Sequence, residues 1–269
     1  MSEAMNACKG TTNYQIVKIN GQSIESMNEP VIEEIPLTIF LNGKELVTML
    51  AAAGEEKYLV IGFLATEGII QNINEIKTLD IDVMQGVIHV TTVSGETAAE
   101  KMFLKRYLTA CCGKGRSAFY FVNDVLTAKT VSTELTISIK EVMQYSELLE
   151  AVSETFRLTG GVHGGALAKN GELVCWSQDI GRHNVFDKLY GRCLTEGIST
   201  YDKILVFSGR VSSEILLKVS KMNISVIIAR SAPTSLAIDM AEELGVTVIG
   251  FARGQRCNIY SHKERVLGL

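Results

Sequence analysis

Three short apolar runs in the last third of the chain decide its fold: Lys203–Phe207 (KILVF), Ser225–Ala229 (SVIIA) and Thr247–Phe251 (TVIGF). Each run is rich in β-branched residues, which favours strands. Two segments with helical periodicity, Ser213–Met222 and Ser235–Leu244, separate the runs. This alternation of strand and helix predicts a partly parallel sheet with right-handed crossovers, and therefore an α/β fold.

Polar and cationic residues follow each of these three strands. In an open parallel sheet, ligands bind beyond the carboxyl ends of the strands, so the three segments should meet at one edge. Arginines, glycines, small hydroxyls and two helix N-termini together suit phosphate groups. The residues are Ser208, Gly209, Arg210, Arg230, Ser231, Thr234, Ala252, Arg253, Gly254, Gln255 and Arg256. The alternative interpretation is a set of solvated surface arginines.

The segment before these strands predicts one helix and one hairpin. Ser138 followed by Glu141 forms a capping box, and the apolar spacing indicates a helix from Ile139 to Leu158. A hairpin spans Ala166–Trp176 and turns at Asn170-Gly171. A polar loop, Asp179–Asn184, then leads into another helix.

Two groups of polar side chains in this segment have two interpretations each. His163, between two pairs of glycines, is either a catalytic residue or a structural histidine in a tight turn. Asp179, Arg182 and His183 either form a hydrogen-bonded group beside the ligand or cap the helix that follows. We include His183 in the predicted cofactor-binding set.

The first half of the chain predicts a small α+β unit. Its elements are strands at Tyr14–Ile19, Val31–Leu41, Leu46–Leu50, Ile76–Ile81, Val87–Val93 and Phe119–Val122, a turn at Asn42-Gly43 and a helix over Glu55–Glu67. The predicted organisation is therefore a disordered tail (residues 1–13), an α+β domain (14–137) and an α/β domain (138–269).

The α+β unit ends in a loop that carries two adjacent thiols, Cys111 and Cys112. Glycines at 113 and 115 favour a loop, and the charges of Lys114 and Arg116 should lower a thiol pKa. The alternative is a pair of buried, inert cysteines. No second pair at metal-ligand spacing lies nearby, and adjacent residues form a strained disulfide, so the pattern favours covalent thiol chemistry.

Composition limits the classes of protein to consider. The chain has 269 residues, 46% of them hydrophobic, which suffices for a large core. Its net charge of −4 predicts no general attraction to nucleic acid, and no apolar run is long enough to span a membrane. The six cysteines follow no disulfide spacing, so we expect a reducing cytoplasm, with Cys175, Cys193 and Cys257 in the core.

Several motifs in fixed order then resemble those of the formate dehydrogenase accessory sulfurtransferases, the FdhD family. They are Thr159-Gly160-Gly161-Val162-His163, Asp179-Ile180-Gly181-Arg182-His183-Asn184 with Asp187-Lys188, Ser208-Gly209-Arg210-Val211-Ser212, Ser231-Ala232-Pro233-Thr234, and Phe251-Ala252-Arg253-Gly254 through Asn258-Ile259-Tyr260. The resemblance runs from about Glu33 to the C-terminus.

The resemblance implies a function and a fold. Members accept persulfide sulfur from a cysteine desulfurase on a loop cysteine. They pass it to the molybdenum or tungsten bis-guanine-dinucleotide cofactor before this enters formate dehydrogenase. The family fold is similar to that of cytidine deaminases, and members are typically homodimers. The guanine-dinucleotide site includes the segment that corresponds to Phe251–Arg256, where Phe251 would stack on a guanine.

The chain departs from the family pattern in its sulfur loop. Many members carry Cys-Gly-x-Cys-Gly, whereas Cys112-Gly113 is followed here by no second cysteine three residues on. Alignment on the Cys-Gly dipeptide makes Cys112 the sulfur acceptor, and alignment on Gly115 makes it Cys111. The leading hypothesis is a persulfide sulfurtransferase, and the alternative is a non-catalytic cofactor carrier.

A zinc deaminase is a further possibility that the fold resemblance raises. Such enzymes need a His-x-Glu and a Pro-Cys-x-x-Cys segment. Gly164 and Gly165 follow His163, and the chain contains no Cys-x-x-Cys. The sequence therefore predicts no tightly held zinc.

Overall fold

The computed structural model describes residues 10–94, 130–131 and 135–269. The sulfur loop with Cys111 and Cys112, most of the predicted tail and the predicted strand at Phe119–Val122 lie outside the described residues. Thr11–Asn13, which we assigned to the tail, belong to the first strand.

Fourteen strands and six α-helices make up the described part of the chain. The strands are β1 (Thr11–Asn20), β2 (Ser23–Ile32), β3 (Glu34–Leu41), β4 (Lys44–Ala52), β5 (Ile76–Asp82), β6 (Val87–Thr92), β7 (Ile137–Ser138), β8 (His163–Lys169), β9 (Glu172–Asp179), β10 (Ile204–Phe207), β11 (Val226–Ala229), β12 (Thr247–Arg253), β13 (Arg256–Ile259) and β14 (Val266–Leu267). The helices are α1 (Glu56–Thr66), α2 (Ile139–Val152), α3 (Glu154–Thr159), α4 (Arg182–Glu196), α5 (Ser213–Lys221) and α6 (Ser235–Leu244).

The largest sheet has six strands in the order β13-β12-β11-β10-β8-β9. Strands β10, β11 and β12 are parallel, which confirms the sheet predicted from the three apolar runs. Strands β8, β9 and β13 are antiparallel to their neighbours. Helix α2 buries its apolar face on one side of the sheet, and α4, α5 and α6 pack on the other. The C-terminal part is thus a mixed α/β unit with helices on both faces; its likeness to cytidine deaminases stays a prediction.

A second sheet, in the order β4-β3-β6-β5, packs against α1. The predicted turn between β3 and β4 is confirmed, because Asn42 and Gly43 have φ values of 52° and 81°. Both values suit a two-residue hairpin turn, which requires positive φ angles. The pairing of β3 with β6 is parallel, and the other pairs are antiparallel.

Helix α2 shows the predicted capping box but ends earlier than expected. The Ser138 hydroxyl accepts a hydrogen bond from the Glu141 N–H, and the Glu141 carboxylate accepts one from the Ser138 N–H. The helix stops at Val152, since Ser153 leaves the helical region with φ −82° and ψ 57°. The Ser153 hydroxyl donates to the Leu149 carbonyl, 2.6 Å away, and α3 begins after it. No helix in the described ranges is both long enough and apolar enough to cross a membrane.

Helices α1 and α4 join the two sheet units by crossing at two glycines. A Cβ atom added to Gly62 would lie 1.7 Å from the Asp187 carbonyl oxygen, and one added to Gly191 would lie 1.9 Å from the Tyr58 carbonyl oxygen. Only glycine permits backbones to approach this closely. We call this crossing the seam. The seam joins a helix from each side of the domain boundary that we predict near residue 137. That boundary stays a prediction.

Candidate functional site

A cleft of about 330 Å³ opens at the edge where the parallel strands end. Its walls come from the C-terminal half of α2, from α3 and from the ends of β8, β9, β10, β11 and β12. It is lined by Leu149, Glu150, Ser153, Phe156, Val162, His163, Gly164, Gln178, Ser208, Arg230 and Arg253. Among the residues predicted from the sequence, Ser208, Arg230 and Arg253 thus share one cleft with His163.

Ser208 ties the ends of β8 and β10 together at the base of the cleft. Its N–H donates to the Gly164 carbonyl, and its hydroxyl accepts from the Gly164 N–H, both at 2.9 Å. The next residue, Gly209, is buried; a Cβ there would lie 2.7 Å from the Phe207 ring and 3.4 Å from Nδ1 of His163. The Ser208-Gly209 turn therefore fits closely over the ring of His163.

His163 is half-buried in this cleft. Burial lowers its pKa below the ordinary histidine value, and the positive charge of Arg182 lowers it further, while Asp179 acts in the opposite direction. The imidazole is therefore neutral at neutral pH, and one ring nitrogen can donate a hydrogen bond while the other accepts one. His163 lines the cleft, and the choice between its catalytic and structural interpretations stays a prediction.

The two arginines of the cleft differ in how they are held. Arg230 forms an ion pair with Glu150, with 3.1 Å between Nη1 and Oε2. Arg253 donates from Nε to the Arg230 carbonyl at 2.8 Å, and its terminal guanidinium nitrogens contact no acceptor among the residues described. Arg253 is therefore oriented by its neighbour while its fork remains available to an anion.

Phe251 adopts a conformation that is rare for an aromatic residue. Its φ is 53°, in the left-handed region, and its N–H donates to the Ser231 carbonyl at 3.2 Å. The ladder between β12 and β13 is irregular here, and Ala252 is buried with its carbonyl 2.6 Å from the Ser146 hydroxyl. Positive φ angles in bulky residues are strained and concentrate at functional sites. The kink turns the side chains of Phe251 and Arg253 outward and that of Ala252 inward.

The remaining predicted site residues lie outside the cleft lining. Gly254 and Gln255 form the exposed turn between β12 and β13, and Arg256, the first residue of β13, pairs across the strands with Arg253. Arg210 is exposed beyond the end of β10. We call these residues the rim, because they closely follow the lining residues Ser208 and Arg253 along the chain.

Thr234 and His183 have structural partners away from the cleft. Thr234 is the N-cap of α6, where its hydroxyl accepts from the Ala237 N–H at 3.4 Å. His183 lies in the first turn of α4, with Nε2 3.3 Å from a carboxylate oxygen of Glu214. Their contribution to cofactor binding stays a prediction.

Asp179 is fully buried and its carboxylate is satisfied by the protein itself. One oxygen accepts from the Gly181 N–H and the Asn184 amide, both at 2.8 Å. The other lies 2.7 Å from Nζ of Lys188, which is also buried. These bonds tie Asp179 to the residues at the start of α4, although no side chain caps that helix as the second interpretation expected.

Sequence reasoning missed the wall contributed by α2, α3 and β9. Glu150, Ser153 and Phe156 recur at intervals of three, a spacing that places them on one helical face. The sequence predicts a single helix over Ile139–Leu158 here, and we assign none of these three residues to a site from it. Gln178 also lines the cleft, and its side-chain oxygen is buried without a hydrogen-bond partner among the described residues. The described residues contain no group of three or more His, Cys, Asp or Glu placed to hold a metal ion.

The three described thiols, of Cys175, Cys193 and Cys257, are buried or partly buried. Cys175 and Cys193 are buried, as predicted. A hydrogen bond with Cys175, followed by burial, raises the pKa of Cys193 far above the ordinary thiol value. A hydrogen bond with Cys193 lowers the pKa of Cys175, whose side chain is buried in the core. Cys257, which we also predicted to lie in the core, is only partly buried, and this burial raises its pKa.

Comparison with known proteins gives consistent results. The sequence model of the FdhD/NarQ family matches residues 32–267. A protein of Geobacillus kaustophilus named sulfur carrier protein FdhD is 46% identical over 92% of this chain and 94% of its own length. A Bacillus subtilis protein of the same name is 47% identical over 90% and 92%.

A solved structure also has the same fold. The crystal structure of a formate dehydrogenase accessory protein from Desulfotalea psychrophila superimposes with a TM-score of 0.77. At 24% identity, it covers 96% of this chain and 99% of its own. With the family match extending over most of the sequence, these findings show that the chain belongs to the FdhD/NarQ family.

Proposed function

We propose that this chain is a persulfide sulfurtransferase that carries sulfur for the maturation of formate dehydrogenase. The observation that carries the proposal is the cleft at the carboxyl ends of β10–β12, with Arg253 oriented and its fork unpaired among the described residues. The proposal is also supported by relatives named sulfur carrier proteins. The site of action would be the cytoplasm.

The first step is acceptance of sulfur by a thiolate of the loop, at Cys112 or, in the alternative alignment, Cys111. The donor is a cysteine desulfurase that holds a persulfide. The thiolate attacks the outer sulfur, the donor's S–S bond breaks, and the donor cysteine leaves as a thiolate, so that no net oxidation occurs. The charges of Lys114 and Arg116 favour the thiolate and the persulfide anion.

The second step requires the metal-bearing substrate to be held near the carrier. We assign the phosphates of the molybdenum or tungsten bis-guanine-dinucleotide cofactor to Arg253 and Arg230, with Arg210 and Arg256 on the rim. Guanidinium forks bind phosphate oxygens in pairs. The exposed ring of Phe251 offers a stacking surface for a guanine, which is a planar aromatic base.

Mass spectrometry of the intact protein tests the sulfur step. After incubation with a cysteine desulfurase and cysteine, we expect about 32 Da added at one thiol and removed by a reductant. The Cys112→Ala variant should lose the adduct if Cys112 is the acceptor, and Cys111→Ala should lose it otherwise. Cys257→Ala, which removes a partly buried thiol whose pKa burial raises, is the matched control.

Activation of formate dehydrogenase distinguishes this proposal from its alternative, a non-catalytic cofactor carrier. A variant lacking both Cys111 and Cys112 should bind guanine nucleotide as the wild type does and fail to activate apo formate dehydrogenase. If that variant still activates the enzyme, the cysteines are incidental, and the chain acts as a carrier without sulfur chemistry.

A further inference from the structure

Gln178 is held at two points while its side-chain oxygen has no partner. Its side-chain amide donates to the Thr155 hydroxyl at 2.7 Å, and its backbone carbonyl accepts from Nζ of Lys188 at 3.2 Å. The side-chain oxygen is buried, and residues 10–94, 130–131 and 135–269 supply no donor to it. Buried acceptors in proteins are almost always hydrogen-bonded, since an unpaired one destabilises the fold. A fixed, unpaired acceptor in the wall of a cleft is therefore a position that a ligand donor would complete.

Strands β9, β8 and β10 bring this acceptor and a hydroxyl group to the same end of the sheet. Gln178 on β9 is the cross-strand partner of Gly164 on β8, and the Ser208 hydroxyl, just beyond β10, accepts from the Gly164 N–H. All three residues line the cleft. Since a serine hydroxyl donates one proton while it accepts, Ser208 can bond to an acceptor on a ligand. A ligand edge that carries both donors and an acceptor matches this pair.

Apolar side chains supply much of the remaining lining of the cleft. They are Leu149, Phe156 and Val162. At about 330 Å³, the cleft is at the lower end of the roughly 300–1,000 Å³ of small-molecule sites, in which a few polar groups orient a ligand held mainly by apolar contact. This size and lining suit one planar ring system with a hydrogen-bonding edge, and they exclude a complete bis-dinucleotide.

The connectivity of the substrate decides which ring reaches this interior, and this step rests on the proposed function. The diphosphate of the cofactor joins guanosine on one side to a pterin on the other. With the phosphates at Arg253 and Arg230, and guanine on Phe251, which does not line the cleft, the pterin is the ring that extends inward. A pterin has a 2-amino-4-oxopyrimidine edge, in which N–H donors adjoin a carbonyl acceptor. That pattern complements the Gln178 oxygen and the Ser208 hydroxyl.

We propose that the side-chain oxygen of Gln178 selects the pterin of the substrate by accepting a hydrogen bond from this edge inside the cleft. Guanine carries the same edge and is the competing source of the same contact. The two sources differ in a measurable way. A pterin in the cleft leaves the guanine position free, so a pterin and GDP bind together, whereas a guanine in the cleft excludes the pterin.

Fluorescence titration of the full-length protein with 6-hydroxymethylpterin, a fluorescent compound without nucleotide or metal, tests the contact. Gln178→Leu removes the acceptor and should weaken pterin binding about tenfold or more. Gln178→Glu keeps an acceptor oxygen at this position and should retain most of the affinity. The matched control, Gln85→Leu at the exposed turn between β5 and β6, should bind as the wild type does. Circular dichroism establishes that all three variants are folded.

Titration with GDP separates the pterin from the guanine. The wild type should bind 6-hydroxymethylpterin with unchanged affinity in the presence of saturating GDP, and Gln178→Leu should bind GDP as the wild type does. Arg253→Ala should show the reverse pattern, with weaker GDP binding and unchanged pterin binding, because 6-hydroxymethylpterin has no phosphate.

The proposal is overturned if the wild type does not bind 6-hydroxymethylpterin at millimolar concentration, if Gln178→Leu leaves the affinity unchanged, or if Gln178→Leu and Gln178→Glu weaken it equally. It is also overturned if GDP displaces the pterin and Gln178→Leu weakens GDP binding, because guanine then occupies the cleft. Sulfur transfer is measured separately, as the mass that the desulfurase adds to a loop thiol. That mass can appear while pterin binding fails, so failure of this inference is distinguishable from failure of the proposed function.

Discussion

The seam and the cleft both contain charged side chains, but these differ in burial and in whether the protein itself supplies their partners. At the seam, Asp187 accepts from Thr66 at 2.7 Å and from Lys218 at 2.6 Å, and both charged groups are buried. In the cleft, Arg253 is exposed, and its terminal nitrogens have no acceptor in the described part of the chain. A satisfied buried charge holds the fold, whereas an oriented and unsatisfied one is available to a ligand.

The largest effect is expected from a substitution that separates the two helices of the seam and so tests whether their contact holds the fold. Gly191→Leu places a side chain where a Cβ would already lie 1.9 Å from the Tyr58 carbonyl, so α1 and α4 cannot remain in contact. We expect loss of folded protein, or destabilisation by about 3 kcal/mol or more. Urea denaturation measures it. Ala151→Leu, at an exposed position of α2, is the control, and equal stability of the two variants would contradict the close crossing.

The second change removes one partner of the buried ion pair at the seam. Lys218→Met leaves the Asp187 carboxylate buried, with Thr66 as its remaining partner in the described part of the chain, and should cost about 3–5 kcal/mol of stability. The double variant Asp187→Leu with Lys218→Met should recover most of that loss, because no unpaired charge remains. Denaturant midpoints of the three proteins check this. A double variant as unstable as the single one would refute the interpretation.

The third change affects the cleft and should leave the fold intact. Arg253→Ala removes a guanidinium fork from the proposed phosphate site and should weaken the binding of GDP, used as a probe, by about 10- to 100-fold. Arg253→Lys should recover only part of this affinity, because a lysine lacks the fork. Calorimetry measures the binding, with Lys57→Ala as a control for net charge. Unchanged affinity for Arg253→Ala would exclude the assigned phosphate position.

The smallest expected effect is a pH dependence that originates at His163. Because burial and Arg182 lower its pKa in the folded protein, the unfolded chain binds this proton at a higher pH. Stability should therefore fall as the pH drops below about 6.5, and the loss is complete below the folded pKa.

His163→Gln should reduce that fall, whereas His89→Gln, at an exposed position of β6, should not. Thermal unfolding at about pH 7.5 and pH 5 compares the three proteins. An identical pH dependence in the wild type and His163→Gln would show that the cleft does not disfavour the imidazolium ion.

Most of the regular structure could be predicted because it follows local rules. Apolar periodicity, β-branching and turn chemistry predict, respectively, the helix α1, the strands β10–β12 and the Asn42-Gly43 turn. The break at Ser153 was missed, since a hydroxyl that bonds back to Leu149 competes with the helix only in the folded context. Most of β2 was missed too, because its polar sequence has little apolar alternation.

The sequence alone determined the order of strands and helices, the parallel sheet and the edge at which arginines gather, since these depend on neighbours along the chain. Tertiary structure decided which charged motif holds the fold and which faces the cleft. Asp179 and His163 both lie in polar, glycine-flanked segments, and no pattern separates them. They differ because α4 buries a lysine beside Asp179, while β10 and α2 leave His163 at an open wall. Burial and partners come from distant segments, and these determine whether a polar group is satisfied or available.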